Sequence, residues 1–333
     1  MPSDLLILSI RAVKGLELRK IHEMKVASDT VAVLLMAYGT PGTEDEVEPY
    51  LTDIFGGRKP TQEQIHSLKT RYEKIGGSSP LLEITQSQAD ALGKKMSEVS
   101  DETGYKVYLG MKHAKPFIGE TVKRISEDGI RKIIALPLTP HYSKLSVGTY
   151  FDAVKKGVEG INTPMEVAYV NQWHDQPLFL KAVTEKIKDA ILKFPESVRS
   201  DIAVMFTAHS LPERILEWND PYPGQLNETC ELIAEMIKLK NWNLAYQSAG
   251  KRGGKWLGPD IFKTLAGLAE SGFINVLIVP IGFVSDNLEI KYDIDIECME
   301  FASSKSINLR RTESLNVSPT FIEALTAIVR EHS

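Results

Sequence analysis

Short apolar runs alternate with longer amphipathic stretches along most of this 333-residue chain. Short apolar runs suit buried parallel strands, whereas apolar residues that recur every three or four positions indicate helices. An alternation of the two predicts a doubly wound α/β architecture. The predicted strands fall into two groups of four, at 31–37, 106–111, 132–138 and 165–170, and at 202–207, 244–248, 274–281 and 307–311.

Two groups of four strands predict two Rossmann-like halves, each with a mainly parallel sheet flanked by helices. We place the halves at 30–174 and 175–333, after an N-terminal appendage of residues 1–29. Helical periodicity predicts helices around 61–75 and 176–192, and a last helix over 319–330. The last helix has an apolar face formed by Phe321, Leu325 and Ile328, so it could pack back on either half.

Charge and cysteine content exclude several classes of protein. The formal net charge of -5 leaves no basic stripe of the kind that nucleic-acid binding requires. The two cysteines, Cys230 and Cys298, are far apart in sequence and provide neither a disulfide framework nor the ligands of an iron–sulfur cluster. No apolar segment reaches membrane-spanning length. We therefore expect a soluble cytoplasmic protein without an iron–sulfur cluster.

Residues that follow the strands are the first candidates for chemistry, because ligands of such folds bind beyond the carboxyl ends of the strands. Tyr38 follows the first strand, although a tyrosine in that place is more often a packing residue. His141 and His209 follow the third and fifth strands, at equivalent positions of the two halves. Histidine accepts a proton near neutral pH or binds a divalent metal. We favour that role for His209, and a hydrogen-bonded core histidine for His141.

Three carboxylates spaced four residues apart follow the seventh strand: Glu289, Asp293 and Glu297. If the segment is helical, this spacing aligns them on one face, where they could pass a divalent metal along a short path. A solvated acidic face is the alternative interpretation. On a regular helix the neighbouring apolar face would be formed by Leu288, Tyr292 and Ile296.

The motifs that contain these residues resemble those of the ferrochelatase family, class II chelatases that insert Fe²⁺ into a porphyrin without ATP. The resemblance covers about residues 31–330. Its most specific stretches include AYGTP at Tyr38, RYEKIGGSSPL from Arg71, TAHSLP at His209 and GFVSDNLEIKYDIDIEC from Gly282. Their joint order, rather than any one of them, carries the resemblance.

The resemblance implies a role for each matching residue. His209 and Glu289 match the metal-insertion pair of the family, and Asp293 and Glu297 match the acidic ridge that handles metal. Tyr38 is similar to the tyrosine that coordinates iron in the Gram-positive branch of the family. The enzymes of that branch use coproporphyrin III as substrate. The positions that bind the porphyrin and its propionates are matched by Arg71, Tyr72, Ser79 and Tyr150.

The family also implies the partners: a porphyrin, Fe²⁺ as substrate rather than as a prosthetic group, and transient contact with neighbouring enzymes of haem biosynthesis. We expect a monomer. Three positions depart from the family pattern, since Phe55, Asn287 and Lys291 stand where other residues are usual. Two alternatives stay open: a chelatase for another tetrapyrrole, such as protoporphyrin IX or sirohydrochlorin, and a haem- or porphyrin-binding paralogue without catalysis.

Overall fold

Eight strands form where the sequence predicts them, each within two residues of its predicted ends. The computed structural model describes residues 30–99, 104–250 and 254–333, so the predicted appendage of residues 1–29 lies outside the described residues. The strands are β1 (Thr30–Ala37), β2 (Gly104–Met111), β3 (Lys132–Pro137), β4 (Glu166–Tyr169), β5 (Ala203–His209), β6 (Trp242–Gln247), β7 (Asn275–Pro280) and β8 (Asn308–Arg311).

The strands build two four-stranded sheets with the same topology. The first has the order β2-β1-β3-β4 and the second β6-β5-β7-β8, and every pairing in both is parallel. The predicted fold class, two Rossmann-like units with parallel sheets flanked by helices, is confirmed. The boundary between the halves after residue 174 stays a prediction.

Helices connect the strands, and several begin at a capping side chain. Thr61 and Gln64 form a capping box, and the side chain of Gln176 accepts hydrogen bonds from two backbone N–H groups. The α-helices are α1 (Val47–Ile54), α2 (Gln62–Lys74), α3 (Leu81–Val99), α4 (Ile118–Glu127), α5 (Val147–Glu159), α6 (Pro177–Leu192), α7 (Tyr222–Ile237), α8 (Ile261–Glu270), α9 (Met299–Ser304) and α10 (Pro319–Glu331). A π-helix, Ile290–Cys298, leads into α9.

One apolar cluster joins the two sheets. Alternate residues of β1, such as Val33 and Leu35, and of β5, such as Val204 and Phe206, belong to it together with residues of α3, α6, α7 and α10. These four helices therefore lie between the sheets. The opposite face of the first sheet is covered by α4 and α5, and that of the second by α8, α9 and the π-helix.

The last helix, α10, buries its predicted apolar face completely. Phe321, Leu325 and Ile328 are at most 1% exposed, and α10 contacts both α3 and α6. Burial of three such side chains stabilises the fold by several kcal/mol, at about 1.5–3 kcal/mol each. Among the described residues, no helix has the length and apolar character needed to cross a membrane.

Candidate active site

His209 and Glu289 form a hydrogen-bonded pair at the carboxyl end of the second sheet. His209 is the last residue of β5, and Glu289 immediately precedes the π-helix that follows β7. His209 Nδ1 and Glu289 Oε2 are 2.8 Å apart, and the side chains are 36% and 29% exposed. The structure thus brings the predicted catalytic pair together and leaves both side chains accessible to a substrate.

Strand order explains why these two residues meet. β5 and β7 are parallel neighbours, so their carboxyl ends lie at the same edge of the sheet. His209 lies on the same face of β5 as Met205, which packs against the π-helix. After β7 the chain passes so close to β5 that a Cβ on Gly282 would lie 2.9 Å from that of Ala208. Glycine at position 282 therefore permits the turn that delivers Glu289.

Electrostatics favour the charged form of both members of the pair. Burial lowers the pKa of His209, but the Glu289 carboxylate outweighs it, and the resulting pKa is raised. Burial likewise raises the pKa of Glu289, but the imidazole of His209 outweighs it, and that pKa is lowered. An imidazole with a raised pKa, held by a carboxylate, is a suitable acceptor of a proton from a weakly acidic N–H.

Asp293 lies beside this pair, linked to both halves of the chain. It accepts hydrogen bonds from Arg71 on α2 and from Ser248, which follows β6. Asp293 is only 8% exposed. Burial raises its pKa to about 6, with Arg71 lowering it and the charges of Glu289 and Glu297 raising it. Arg71 also lies over the ring of Tyr292, 4.7 Å from its centroid.

Glu297 continues the row of carboxylates towards the surface, where its side chain is exposed. Its charge acts on Asp293, as the charge of Glu289 does. Within the described parts of the chain, no three His, Cys, Asp or Glu side chains lie close enough together to hold a metal ion. Glu289, Asp293 and Glu297 therefore form a series of separate positions and not a single coordination site.

The segment is helical, which is the condition for aligning the carboxylates, but residues 290–298 form a π-helix and not an α-helix. The buried positions are Ile290, Ile294 and Cys298, whereas Leu288, Tyr292 and Ile296 are half-buried. Both sets repeat every four residues, so the apolar pattern alone fits either face. π-Helical segments are rare and occur frequently at functional sites.

Tyr38 follows β1, at the carboxyl edge of the first sheet. It is 44% exposed, and its ring lies against that of His113 with a centroid separation of 4.6 Å. His113 Nδ1 is 2.6 Å from Asp53 Oδ2. Burial, Glu289 and Asp53 raise the pKa of Tyr38, which places the Glu289 carboxylate within electrostatic reach of its hydroxyl. We call the space between Tyr38 and the pair of His209 and Glu289 the cleft.

Sequence reasoning had not identified His113 and Asp53 as a pair. His113 follows β2, the neighbour of β1, at the same sheet edge as Tyr38. Its backbone N–H donates to the Tyr38 carbonyl at 2.9 Å. Its position after a strand end could therefore have predicted His113 as a site residue. Nothing in the sequence connects His113 with Asp53 on α1.

Three residues predicted to bind the porphyrin are buried. The Tyr72 and Thr40 hydroxyls are 2.8 Å apart, and Ser79 Oγ accepts a hydrogen bond from the Leu81 N–H at 3.3 Å. Tyr150 is 3% exposed at the start of α5. Burial and then the proximity of Tyr38 raise its pKa, which places Tyr150 near the cleft. Contacts of these three residues with a porphyrin stay predictions.

The departures from the family pattern have local structural roles. Asn287 Oδ1 accepts the N–H of Ile290 at 3.0 Å, at the helical turn that leads into the π-helix. Lys291 Nζ binds Asp295 Oδ2 at 3.1 Å, on a different side of the π-helix from Asp293. The ring of Phe55 lies under the guanidinium of Arg58, which is 5.2 Å from the ring centroid.

His141 is a core histidine, as preferred from the sequence. It is fully buried, and its Nε2 lies 3.0 Å from the hydroxyl of Thr229 on α7. Burial and then the nearby His174 lower its pKa to about 3. The imidazole is therefore neutral, and its partner is the side-chain hydroxyl of Thr229.

Known proteins resemble this chain in sequence and in fold. The family model described as Ferrochelatase matches residues 30–333. A ferrochelatase of Herpetosiphon aurantiacus is 46% identical over 91% of this chain and 99% of its own length. The coproporphyrin III ferrochelatase of Geobacillus thermodenitrificans is 42% identical over 91% of this chain and 96% of its own length.

A solved structure, SirB from Bacillus subtilis with Fe³⁺, matches with a TM-score of 0.58 over 91% of this chain and 95% of that chain. At 13% identity this likeness concerns the fold alone. The family model and the two relatives cover nearly all of the described residues, including every residue of the cleft. On these grounds the chain belongs to the ferrochelatase family.

Proposed function

We propose that this protein inserts Fe²⁺ into coproporphyrin III to give the iron porphyrin of haem biosynthesis. The observation that carries the proposal is the 2.8 Å pair of His209 and Glu289 facing Tyr38 across the cleft. The relatives support the choice of substrate, because several of them are named coproporphyrin III ferrochelatases. Fe²⁺ is a substrate of this reaction.

Removal of protons is the first chemical requirement, because a free porphyrin carries two N–H protons where the metal must enter. His209 accepts these protons one at a time through the ring nitrogen that Glu289 does not engage, and its solvent-accessible side chain releases the first proton to water before it takes the second. Glu289 stabilises the imidazolium that results, which is how a carboxylate assists a histidine general base. The cleft also bends the macrocycle, so that nitrogen lone pairs point towards the metal, at the expense of binding energy elsewhere on the ring.

Metal delivery is the second requirement, and the row of carboxylates meets it. Fe²⁺ passes from the exposed Glu297 to the buried Asp293 and on to Glu289, exchanging oxygen ligands at each position. Tyr38 binds the iron from the opposite side of the ring. Its raised pKa keeps the phenol protonated in the free protein, so iron displaces the proton when it binds.

Propionate recognition falls to Arg71 and to hydroxyl groups near it. The contacts of Arg71 with Asp293 engage Nη2 only, so further N–H groups are available for a carboxylate. Tyr72 and Ser79 lie on either side of the turn after α2, and Tyr150 lies near Tyr38. Movement of these buried hydroxyls towards the cleft is part of the proposal.

The setting proposed for this activity is the cytoplasm, with the protein acting as a monomer that meets neighbouring enzymes of the pathway transiently. Cys230 and Cys298 are both free and buried, as expected in a reducing compartment. We also propose that no prosthetic group is required, since two separated cysteines could not ligate an iron–sulfur cluster by themselves.

Anaerobic incubation with Fe²⁺ and a porphyrin tests the proposal, with the visible spectrum as the readout. Coproporphyrin III should be metallated fastest, and Glu289→Gln should slow the reaction while Glu300→Gln, an exposed change on α9, should not. Faster turnover of protoporphyrin IX or sirohydrochlorin would identify that tetrapyrrole, and not coproporphyrin III, as the substrate. Tight porphyrin binding without metal insertion would identify a binding protein.

A further inference from the structure

A cavity of about 320 Å³ lies outside the cleft, on the edge of the second sheet. Its walls come from the end of α6, the start of α9, and β8 with the residues that follow it. Apolar groups of Ala190, Met299 and Leu309 line part of it, and the polar lining is formed by Lys193, Arg310, Arg311, Thr312 and Glu313. None of these residues belongs to the site described above.

Arg310 supplies a cation without a counter-ion. Its guanidinium lies over the ring of the buried Phe194, 5.1 Å from the centroid. Its Nε is buried and has no hydrogen-bond partner, and no described carboxylate lies within ion-pair distance of it. This buried Nε is closed to a ligand, but the Nη groups also have no described hydrogen-bond partner and can donate charge-assisted hydrogen bonds to an anion.

Arg311, by contrast, is fully engaged. It binds both oxygens of Asp295, at 2.5 and 3.0 Å, and also contacts Asp286 at 3.2 Å. A fourth contact runs from Nη1 to the Thr312 carbonyl at 2.8 Å. Arg311 therefore fixes the wall of the cavity and does not compete with Arg310 for a ligand.

Lys193 provides a second cation at the rim. Its Nζ is 3.2 Å from Glu313, and the same carboxylate binds Lys186 at 3.0 Å. Because Lys186 can hold Glu313 alone, Lys193 can turn to an anion in the cavity without leaving the carboxylate unpaired. Two cations, one stacked on an aromatic ring and one mobile, suit a compact anion of double charge.

We propose that this cavity binds a compact oxyanion of the phosphate class, held by Arg310 and Lys193. The volume suits inorganic phosphate or the phosphate group of a small monoester, and it lies at the lower end of the range for small-molecule pockets. A porphyrin does not fit.

Thermal unfolding in metal-free buffer tests the proposal. Phosphate should raise the unfolding midpoint saturably, relative to chloride at equal ionic strength, because a ligand that binds only the folded state stabilises it. The same unfolding measurement with glycerol phosphate compares a phosphate monoester with the free ion. A larger effect of the monoester would identify a phosphate-bearing metabolite, and a larger effect of inorganic phosphate would identify the free ion.

Variants locate the effect. Arg310→Gln should weaken phosphate binding at least about tenfold, the effect of losing one charge-assisted contact. Arg124→Gln is the matched control, since Arg124 also lies over an aromatic ring, that of Tyr108 at 5.2 Å, but in the other half. Arg71→Gln tests for binding in the cleft and should leave the phosphate effect unchanged.

Lys193→Gln, a change at the exposed rim, gives a second test if Arg310→Gln does not fold, and it should weaken binding about threefold or more. Absence of a saturable phosphate effect in the unchanged protein would overturn the proposal. So would full retention of the effect in Arg310→Gln or, where that variant does not fold, in Lys193→Gln. Loss of the effect in Arg71→Gln would move the anion to the cleft and equally overturn it.

Discussion

Neutralising Glu289 should slow metal insertion through its effect on His209. A hydrogen bond to a charged group contributes about 1.5–3 kcal/mol. Because the side chains of His209 and Glu289 are 36% and 29% exposed, solvent screening favours the lower part of that range. A loss of about 1.5–2 kcal/mol of transition-state stabilisation corresponds to about a 10- to 30-fold slower insertion in Glu289→Gln.

Removing the imidazole should cost more. His209→Ala deletes the proposed proton acceptor, and loss of a general base typically lowers the rate by about 10²- to 10⁴-fold. Once His209 is absent, Glu289 has no imidazolium to stabilise, so adding Glu289→Gln should lower the rate by less than it does in the presence of His209, and the remaining loss measures its part in metal delivery. Initial rates of anaerobic insertion measure all three variants, and porphyrin fluorescence checks that each still binds substrate.

The pH dependence provides an independent readout of the same pair. His209 must be neutral to accept a proton, so insertion should increase as the pH rises through its raised pKa. Without the negative charge of Glu289, burial dominates and lowers that pKa, which moves the rising limb to lower pH in Glu289→Gln. The reasoning would be refuted if the rate losses of the two single variants multiplied in the double variant, or if the rising limb of the pH profile did not move in Glu289→Gln. Near-native insertion by a folded His209→Ala would refute it as well.

Three further changes test the N-terminal segment, Tyr38 and Lys291. A protein that starts at Ser28 should keep its turnover, because β1 begins at Thr30 and the family match begins at residue 30; loss of folding or of most turnover would show that the first residues pack into the domain. Tyr38→Phe should shift the visible spectrum of the product complex more than it slows insertion, and an unchanged spectrum would remove Tyr38 as an iron ligand. Lys291→Gln should change the insertion rate by less than about fivefold, since exposed ion pairs contribute at most about 1 kcal/mol. A larger loss in a kinetic assay would place Lys291 in the catalytic machinery.

The strands and the strand-end residues could be predicted from the sequence because local patterns determine them. Buried parallel strands appear as apolar runs, and the residue after each run is then known to within a few positions. His209 and Tyr38 are found in this way. The proximity of His209 to Glu289 follows from strand order, which the alternation of strands and helices suggests but does not define.

Contacts between distant segments could not be predicted in the same way. Arg71 and Asp293 are 222 residues apart, and no local pattern indicates that a guanidinium from the first half binds a carboxylate from the second. The resemblance assigned Arg71 to a propionate and Asp293 to metal, whereas the structure joins them to each other. Their separate roles stay predictions, and both now depend on how readily the contact opens.

The π-helix divides its charges between two sides, and this division bears on how the proposed reaction handles iron. Asp293 contacts Arg71 and Ser248, whereas Asp295, two residues further on, binds Arg311 and Lys291. Cations thus neutralise the side away from the cleft and anchor the helix to β8. On the cleft side burial raises the pKa of Asp293, Arg71 opposes that effect, and the charges of Glu289 and Glu297 add to it. In the proposed reaction, a divalent cation that approaches from Glu297 would offset the repulsion among these carboxylates as it binds, and the π-helix would thereby guide Fe²⁺ towards the pair of His209 and Glu289.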